Sequence, residues 1–206
     1  MKIVLATHNR DKFLEMKAIL SSYSIEIFSL DSFPIIGQII ENGNTLQENA
    51  LIKAKTVYEK TGFYSWADDT GLEVDYLNGD PGIYSSRYAG NKCKYIDNVN
   101  KLLTNMKGVP TNKRSAYFKT SIAFIGNNME LTTTGTVKGY ITKEPKGVGG
   151  FGYDSVFYVP EKSKTYSEMK LIEKNKISHR SKAITEMIEL LQPLFPKNFQ
   201  QMEDVA

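Results

Sequence analysis

Residues 63–90, FYSWADDTGLEVDYLNGDPGIYSSRYAG, run an apolar segment straight into two adjacent carboxylates, Asp68 and Asp69, followed by a glycine-rich stretch. The run from Phe63 to Ala67, bounded by Gly62, predicts a buried strand. An acidic pair at the carboxyl end of a strand, with Thr70 and Gly71 turning the chain away, lies where open α/β sheets bind ligands. Carboxylate oxygens there suit Mg²⁺, which takes one or two of them and leaves its other positions to water and phosphates. Asp-Asp-Thr-Gly is equally an ordinary turn sequence, so the surrounding chain has to decide.

The hydrophobic period alternates between strand and helix along most of the 206 residues. Lys2 to Ala6 predicts a short strand, and Asn9 to Ser22 a helix with Phe13, Met16, Ile19 and Leu20 on one stripe. A second strand is expected near Ile25 to Leu30. Thr45 and Glu48 have the spacing of a capping box for a helix carrying Leu51, Ile52, Ala54, Val57 and Tyr58, with Gly62 as its C-terminal cap. Asn98 to Met106 is helical in pattern. Tyr117 to Ile125 and Met129 to Ile141 predict strands joined through Asn127-Asn128, the second with one wet, Thr-rich face. A further strand is expected at Asp154 to Val159, and a last helix from Ser178 as N-cap to Pro193. Beyond Pro196, at about 197–206, nothing calls for order. The pattern is that of one mixed α/β domain with a long, partly antiparallel sheet.

Charge and cysteine usage narrow the classes. The 26 basic and 23 acidic residues leave a formal charge of only +3, too little to argue for a nucleic-acid partner. The only basic candidate stretch, Lys162 to Lys182, is interrupted by Glu161, Glu168 and Glu173 at its edge and within it. Cys93 is the sole cysteine, which fits a reducing compartment. The amino terminus lacks the apolar region of a signal peptide, and no run approaches the ~20 apolar residues of a membrane span. A soluble, cytoplasmic protein is expected.

Several segments could carry chemistry. Thr7, His8, Asn9, Arg10, Asp11 and Lys12 connect the first strand to the first helix, where free N–H groups attract phosphate; an N-cap with a solvated first turn would look the same. Asn49 and Lys53 share a helix face, and Glu41 lies in the loop ahead of it. Glycines around Phe151, namely Gly149, Gly150 and Gly152, would let its ring approach a flat ligand. Tyr153 and Asp154 follow, and Asp154 can accept from ring N–H groups. Lys174, His179 and Arg180 are donors, suited to a purine with a 6-keto oxygen and unsuited to adenine, whose exocyclic amine donates.

In order, ATHNRDK, ENGNTLQENALIKA, the acidic segment through YSSRYAG, GFGYDSVF and EKNKISHRSKA resemble the inosine triphosphate pyrophosphatase family. The resemblance implies an elongated two-lobed α/β fold, a mixed sheet with flanking helices and a nucleotide cleft between the lobes, usually as a homodimer. It implies Mg²⁺-dependent hydrolysis of ITP, dITP or XTP to the monophosphate and pyrophosphate. It assigns phosphate binding to the Thr7–Lys12 loop and Lys53, with Asn49 nearby in the substrate site, and metal positions to Glu41, Asp69 and the adjoining Asp68, with Asp69 also the general base. Thr70 would touch substrate, Phe151 would stack on the base within the Gly152-Tyr153-Asp154 turn, and Asp154, Lys174, His179 and Arg180 would read its edge.

Overall fold

The computed structural model describes residues 1–200. The strands are β1 (Lys2–Leu5), β2 (Glu26–Ser29), β3 (Tyr64–Val74), β4 (Pro81–Gly82), β5 (Ser115–Gly126), β6 (Met129–Ile141), β7 (Phe157–Val159) and β8 (Lys164–Thr165). The helices are α1 (Arg10–Leu20), α2 (Leu46–Thr61), α3 (Tyr95–Asn105), α4 (Leu171–Asn175), α5 (His179–Leu191) and α6 (Pro196–Phe199). The strands make one mixed sheet in the order β2-β1-β3-β5-β6-β7-β8, with β4 on β3. β1 runs parallel to both β2 and β3, whereas β3–β4, β6–β7 and β7–β8 are antiparallel. The mixed α/β class expected from the sequence is the class observed.

The described chain divides into two compact units. The first holds Met1–Asp69, Thr120–Gly135 and the chain from Arg180 on; the second holds Thr70–Lys119 and Thr136–His179. In the first unit, strand alternation sorts side chains between two cores. Ile3, Leu5, Trp66, Ile122 and Phe124 pack with Met16 and Leu20 of α1 and with Ala183, Ile184, Met187 and Leu191 of α5. Val4, Ala6, Ala67, Ala123 and Ile125 instead meet Ala50, Ala54 and Val57 of α2. The helices thus cover opposite faces of the same strands. The second unit has its own core, where Leu72, Val74, Phe118, Val137, Tyr153, Phe157 and Tyr166 pack with Val99 and Leu102 of α3. Arg114, fully buried there, donates to the carbonyls of Met106, Val109, Ile141 and Thr142 and closes the end of α3 onto the end of β6.

Several boundaries differ from the sequence reading. β3 does not end at Ala67 but continues to Val74, because Leu72 and Val74 are buried and Leu72 and Glu73 pair with β4. The acidic pair therefore lies within the strand, not at its carboxyl end. The expected strand at Asp154 is confined to Phe157–Val159, since Asp154, Val156 and Phe157 donate into turn bonds with Phe151 and Tyr153. α3 starts at Tyr95, three residues early, where Asp97 accepts from the Lys94 N–H. The capping box of α2 is half formed: Thr45 Oγ1 accepts from the Glu48 N–H at 3.1 Å, but Glu48 reaches the N–H of Asn44. Gly62 caps that helix in the left-handed conformation, φ 70°, as expected. β6 alternates buried and exposed residues from Thr133 onward, giving the wet face. The chain beyond Pro196 continues into α6, with Phe199 buried in the first unit's core; residues 201–206 of the expected tail lie outside the described residues. Among the described residues no helix is long and apolar enough to cross a membrane.

Candidate functional site

Successive side chains of a strand point to opposite faces of its sheet, and this sorts the two aspartates of β3. Asp69 shares the face of Ala67, covered by α2, while Asp68 shares the face of Trp66, covered by α1 and α5. On the α2 side, Lys53 Nζ bonds Asp69 Oδ1 at 3.1 Å and Glu41 Oε2 at 2.8 Å. Asn49, one turn before Lys53, donates its amide to Asp69 Oδ2 at 3.3 Å. The Asn49 carbonyl oxygen accepts from the Gly43 N–H at 2.9 Å, which fixes the amide orientation. Gly43 has no room for a side chain there: a Cβ would strike Glu48 and Asn49. Burial would lower the Lys53 pKa, but Asp69, then Glu41 and Asp68, outweigh it and raise it above the ordinary lysine value.

Glu41 and Asp69 therefore point at one cation, the lysine ammonium, which stands in for any positive charge at that spot. One carboxylate oxygen from Asp69 and one from the half-buried Glu41 fit a hard divalent ion that keeps most of its ligands as water and phosphate. Among the described residues no three His, Cys, Asp or Glu side chains are grouped to hold a metal. Asp68, expected as a third acid at the same ion, is committed elsewhere.

On the other face, Asp68 Oδ2 receives Arg180 Nε at 3.2 Å, Arg180 Nη2 at 3.1 Å and Lys12 Nζ at 3.2 Å. The third nitrogen of the guanidinium, Nη1, bonds Glu15 of α1. Burial would push the Asp68 carboxyl up, but Lys12, then Arg180 and Lys53, hold it well below the usual carboxylate range. Arg180, expected at the base edge, donates here to both Asp68 and Glu15. Glu15 was missed. The signal available was a carboxylate directly beside Met16 on the inward side of α1, where only a buried partner could tolerate it.

The Thr7–Lys12 loop shows the local capping that competes with phosphate binding. Asn9 Oδ1 accepts from the N–H groups of Asp11 and Lys12 at 3.0 and 3.1 Å, and Thr7 Oγ1 accepts from Asn9 N–H. His8 Nε2 lies 2.8 Å from the Gly37 carbonyl. His8 and Arg10 are exposed, while Thr7, Asn9, Asp11 and Lys12 are half-buried.

In the second unit a different group forms around Asp154. Asp154 Oδ2 accepts from the Phe151 N–H at 3.0 Å and from Lys174 Nζ at 2.5 Å. The Lys174 ammonium lies 5.0 Å from the Phe151 ring centroid and 5.3 Å from that of Tyr166. His179 stacks flat on Phe118, with centroids 4.4 Å apart and planes 8° from parallel. Gly150 has φ 71°, and a Cβ there would run into the Asp154 carboxylate, so glycine is required twice over. Phe151 is half-buried and meets the exposed ring of Tyr95 at 5.7 Å. Tyr153 turns inward and donates its hydroxyl to the Ser85 carbonyl at 3.0 Å; burial, with Tyr88 and Cys93 nearby, pushes that hydroxyl's pKa up, so it remains a donor. Thr70, half-buried, opens this unit next to Asp69 in the chain. Phe151, Asp154, Lys174 and His179 are thus held in one aromatic and ionic group.

The family model described as the Ham1 family matches residues 3–190. The chain belongs to the Ham1 family. It is 48% identical over 187 residues to a dITP/XTP pyrophosphatase of Thermoanaerobacter pseudethanolicus, covering 91% of this chain and 94% of the relative. It is 44% identical over 191 residues to the protein of that name from Bacillus licheniformis, covering 92% and 97%. A HAM1 protein from Coxiella burnetii superposes with a TM-score of 0.85 at 38% identity, over 94% of this chain and 99% of that one. The Staphylococcus aureus Ham1 protein gives 0.84 at 35% identity, over 94% and 100%. These Ham1 likenesses span both compact units, as did the five segments that resembled the inosine triphosphate pyrophosphatases.

Proposed function

We propose that this chain is a nucleoside triphosphate pyrophosphatase that hydrolyses deaminated purine nucleotides, ITP, dITP and XTP, to the monophosphate and pyrophosphate. The observation that carries the reading is the convergence of Glu41 and Asp69 on the single ammonium of Lys53. These residues would hold Mg²⁺, which when bound neutralises phosphate oxygens and polarises the phosphoanhydride. Asp69 orients the attacking water and takes its proton on a carboxylate oxygen. Asn49 fixes the plane of that carboxylate. Lys53 and Lys12 supply positive charge to the departing pyrophosphate, and Thr70 contacts the substrate beside Asp69. No covalent intermediate is required.

Base selection falls to the second group. Phe151 stacks on the purine, Lys174 and His179 present donors, and Asp154 accepts from a ring N–H. Such a set pairs with a 6-keto purine and leaves groups unpaired against adenine, a mismatch worth up to ~10⁴ in rate. Arg180 contributes through Asp68, to whose Oδ2 it donates from both Nε and Nη2, so that with Lys12 it keeps the carboxylate ionised. A homodimer in the cytoplasm completes the proposal, in keeping with a single free cysteine; sedimentation of the purified chain tests the dimer.

The decisive experiment is pyrophosphate release from ITP, XTP, dUTP, GTP and ATP, with Mg²⁺ and with EDTA. Metal-dependent release from ITP and XTP with little turnover of ATP is expected. Tight ITP binding without turnover would make the chain a nucleotide sensor, and a preference for dUTP would remove Lys174 and His179 from base reading.

A further inference from the structure

We propose that Ser85 and Tyr153 are positioning residues that key the turn bearing Phe151 and Asp154 to the strand that continues from Asp69 and Thr70. The proposal rests on the base-reading role given above to Phe151 and Asp154.

β4 is only two residues long, Pro81 and Gly82, and pairs with Glu73 and Leu72. Beyond it the ladder is extended by a side chain. The Leu72 N–H donates to Ser85 Oγ at 2.8 Å, and the same hydroxyl donates to the Gly82 carbonyl at 2.6 Å. Ser85 thus replaces a missing strand partner for the backbone that follows Thr70. Its own carbonyl accepts the Tyr153 hydroxyl at 3.0 Å. Ser85 and Tyr153 are 7% and 4% exposed, so both groups are largely withdrawn from bulk water and need their partners.

Tyr153 sits inside a closed turn. Asp154 N–H donates to the Phe151 carbonyl at 3.1 Å, and Phe151 N–H donates to Asp154 Oδ2 at 3.0 Å. A displacement of the Tyr153 ring therefore displaces Phe151 and Asp154 together. The path Leu72, Ser85, Tyr153 consists of two buried hydrogen bonds, with a third tying Ser85 to Gly82, and it joins two segments of the second unit that are far apart in sequence. Packing alone would be met by phenylalanine at 153. The oxygen has a single use, to satisfy the carbonyl of Ser85 and so fix the turn.

The test uses the full chain with Tyr153→Phe, Ser85→Ala, Ser85→Thr and the Tyr153→Phe/Ser85→Ala double variant. Binding is measured with two probes: IMP, which carries the base, and inorganic tripolyphosphate, which does not. Tyr153→Phe is expected to weaken IMP binding and raise KM for ITP by about 10-fold, the effect of one lost buried hydrogen bond. Its kcat and its tripolyphosphate affinity stay within about twofold, the scale of a few tenths of a kcal/mol. Ser85→Ala also lowers kcat, because it releases the strand following Asp69, and Ser85→Thr restores kcat by returning the hydroxyl. The double variant is expected to lose less than the product of the single losses, since both interrupt one path.

Unchanged IMP affinity in Tyr153→Phe overturns the proposal. So does a parallel fall of IMP and tripolyphosphate affinity together with the melting temperature, which is the signature of general loosening. If Ser85→Ala does not fold, Tyr153→Phe, which removes one oxygen, decides alone. Failure of the wild-type chain to bind IMP more tightly than AMP would instead sink the base-reading role itself, a result separate from any effect of these variants.

Discussion

Asp68 and Asp69 are joined by one peptide bond, yet their carboxylates serve different helices: Asp69 is held by Asn49 and Lys53 of α2, Asp68 by Arg180 of α5 and Lys12 of α1. The strand period of two sets this division. It leaves the Asp69 carboxylate slightly accessible beside Lys53 and encloses that of Asp68. Their substitutions should therefore fail in different ways.

Asp69→Asn removes the proton acceptor and one of the two carboxylates facing Lys53. ITP turnover is expected to drop by about 10²–10⁴ from the lost base alone, while ITP binding changes by only a few-fold. Single-turnover pyrophosphate release with parallel binding measurements checks this; wild-type turnover in the variant would falsify the assigned role.

Asp68→Asn acts on stability. Breaking a buried pair by removing one partner costs roughly 3–5 kcal/mol, which for a chain of this size lowers the melting temperature by about 10 °C. Asp69→Asn should cost clearly less. Calorimetry of both variants in EDTA makes the comparison, and equal losses would contradict the division of labour.

The same pair predicts an acid limb. The folded pKa of Asp68 lies below its unfolded value of about 3.9. Its contribution is therefore fully present above that value and is lost as pH falls through the folded pKa. The gap in urea midpoint between wild type and Asp68→Asn should be constant from pH 7 to about 5 and shrink below about 4. Midpoints taken at steps down to pH 3 decide it; a gap that holds at pH 3 assigns acid sensitivity to other carboxylates.

Lys53→Met leaves Glu41 and Asp69 facing one another without their shared cation. The variant is expected to melt well below wild type in EDTA and to recover part of the difference with millimolar Mn²⁺, because a divalent ion can take the charge. KM for ITP should rise about 10-fold or more from the lost charge-assisted contact. Thermal shift with and without metal reports the first effect, and identical curves would mean that the two carboxylates do not form a cation seat.

Lys174→Met should erase base preference more than catalysis. It removes a donor and leaves Asp154, 2% exposed, without its ammonium. The ratio of kcat/KM for ITP over ATP is expected to fall by about 10²-fold or more, whereas tripolyphosphate inhibition is preserved. A retained ratio would move Lys174 from specificity to structure.

Much of this was legible in the chain before the fold. The helical stripe of α1, the cap at Gly62, the Asn127-Asn128 hairpin and the motif order all follow from local period and turn chemistry. The carboxyl end of β3 was not. The burial of Leu72 and Val74 and pairing with β4 carry the strand past Gly71, where the local sequence predicts a turn. Nor was Glu15 visible as a member of this ion group, because a carboxylate on a helix is normally solvated and its partner Arg180 is far away in sequence.

The sequence by itself determined which chemical groups the chain possesses, the class of fold that arranges them and the family to which it belongs. Those properties reside in residue identity and short spacings. Only the tertiary structure decided which group meets which: that Asp68 answers to Arg180, that Lys53 bridges Glu41 and Asp69, and that Tyr153 reaches Ser85. Each of these contacts is set by sheet alternation and by the packing of distant elements, and an ion pair or a buried hydrogen bond exists only where both partners have been brought to the same few ångströms.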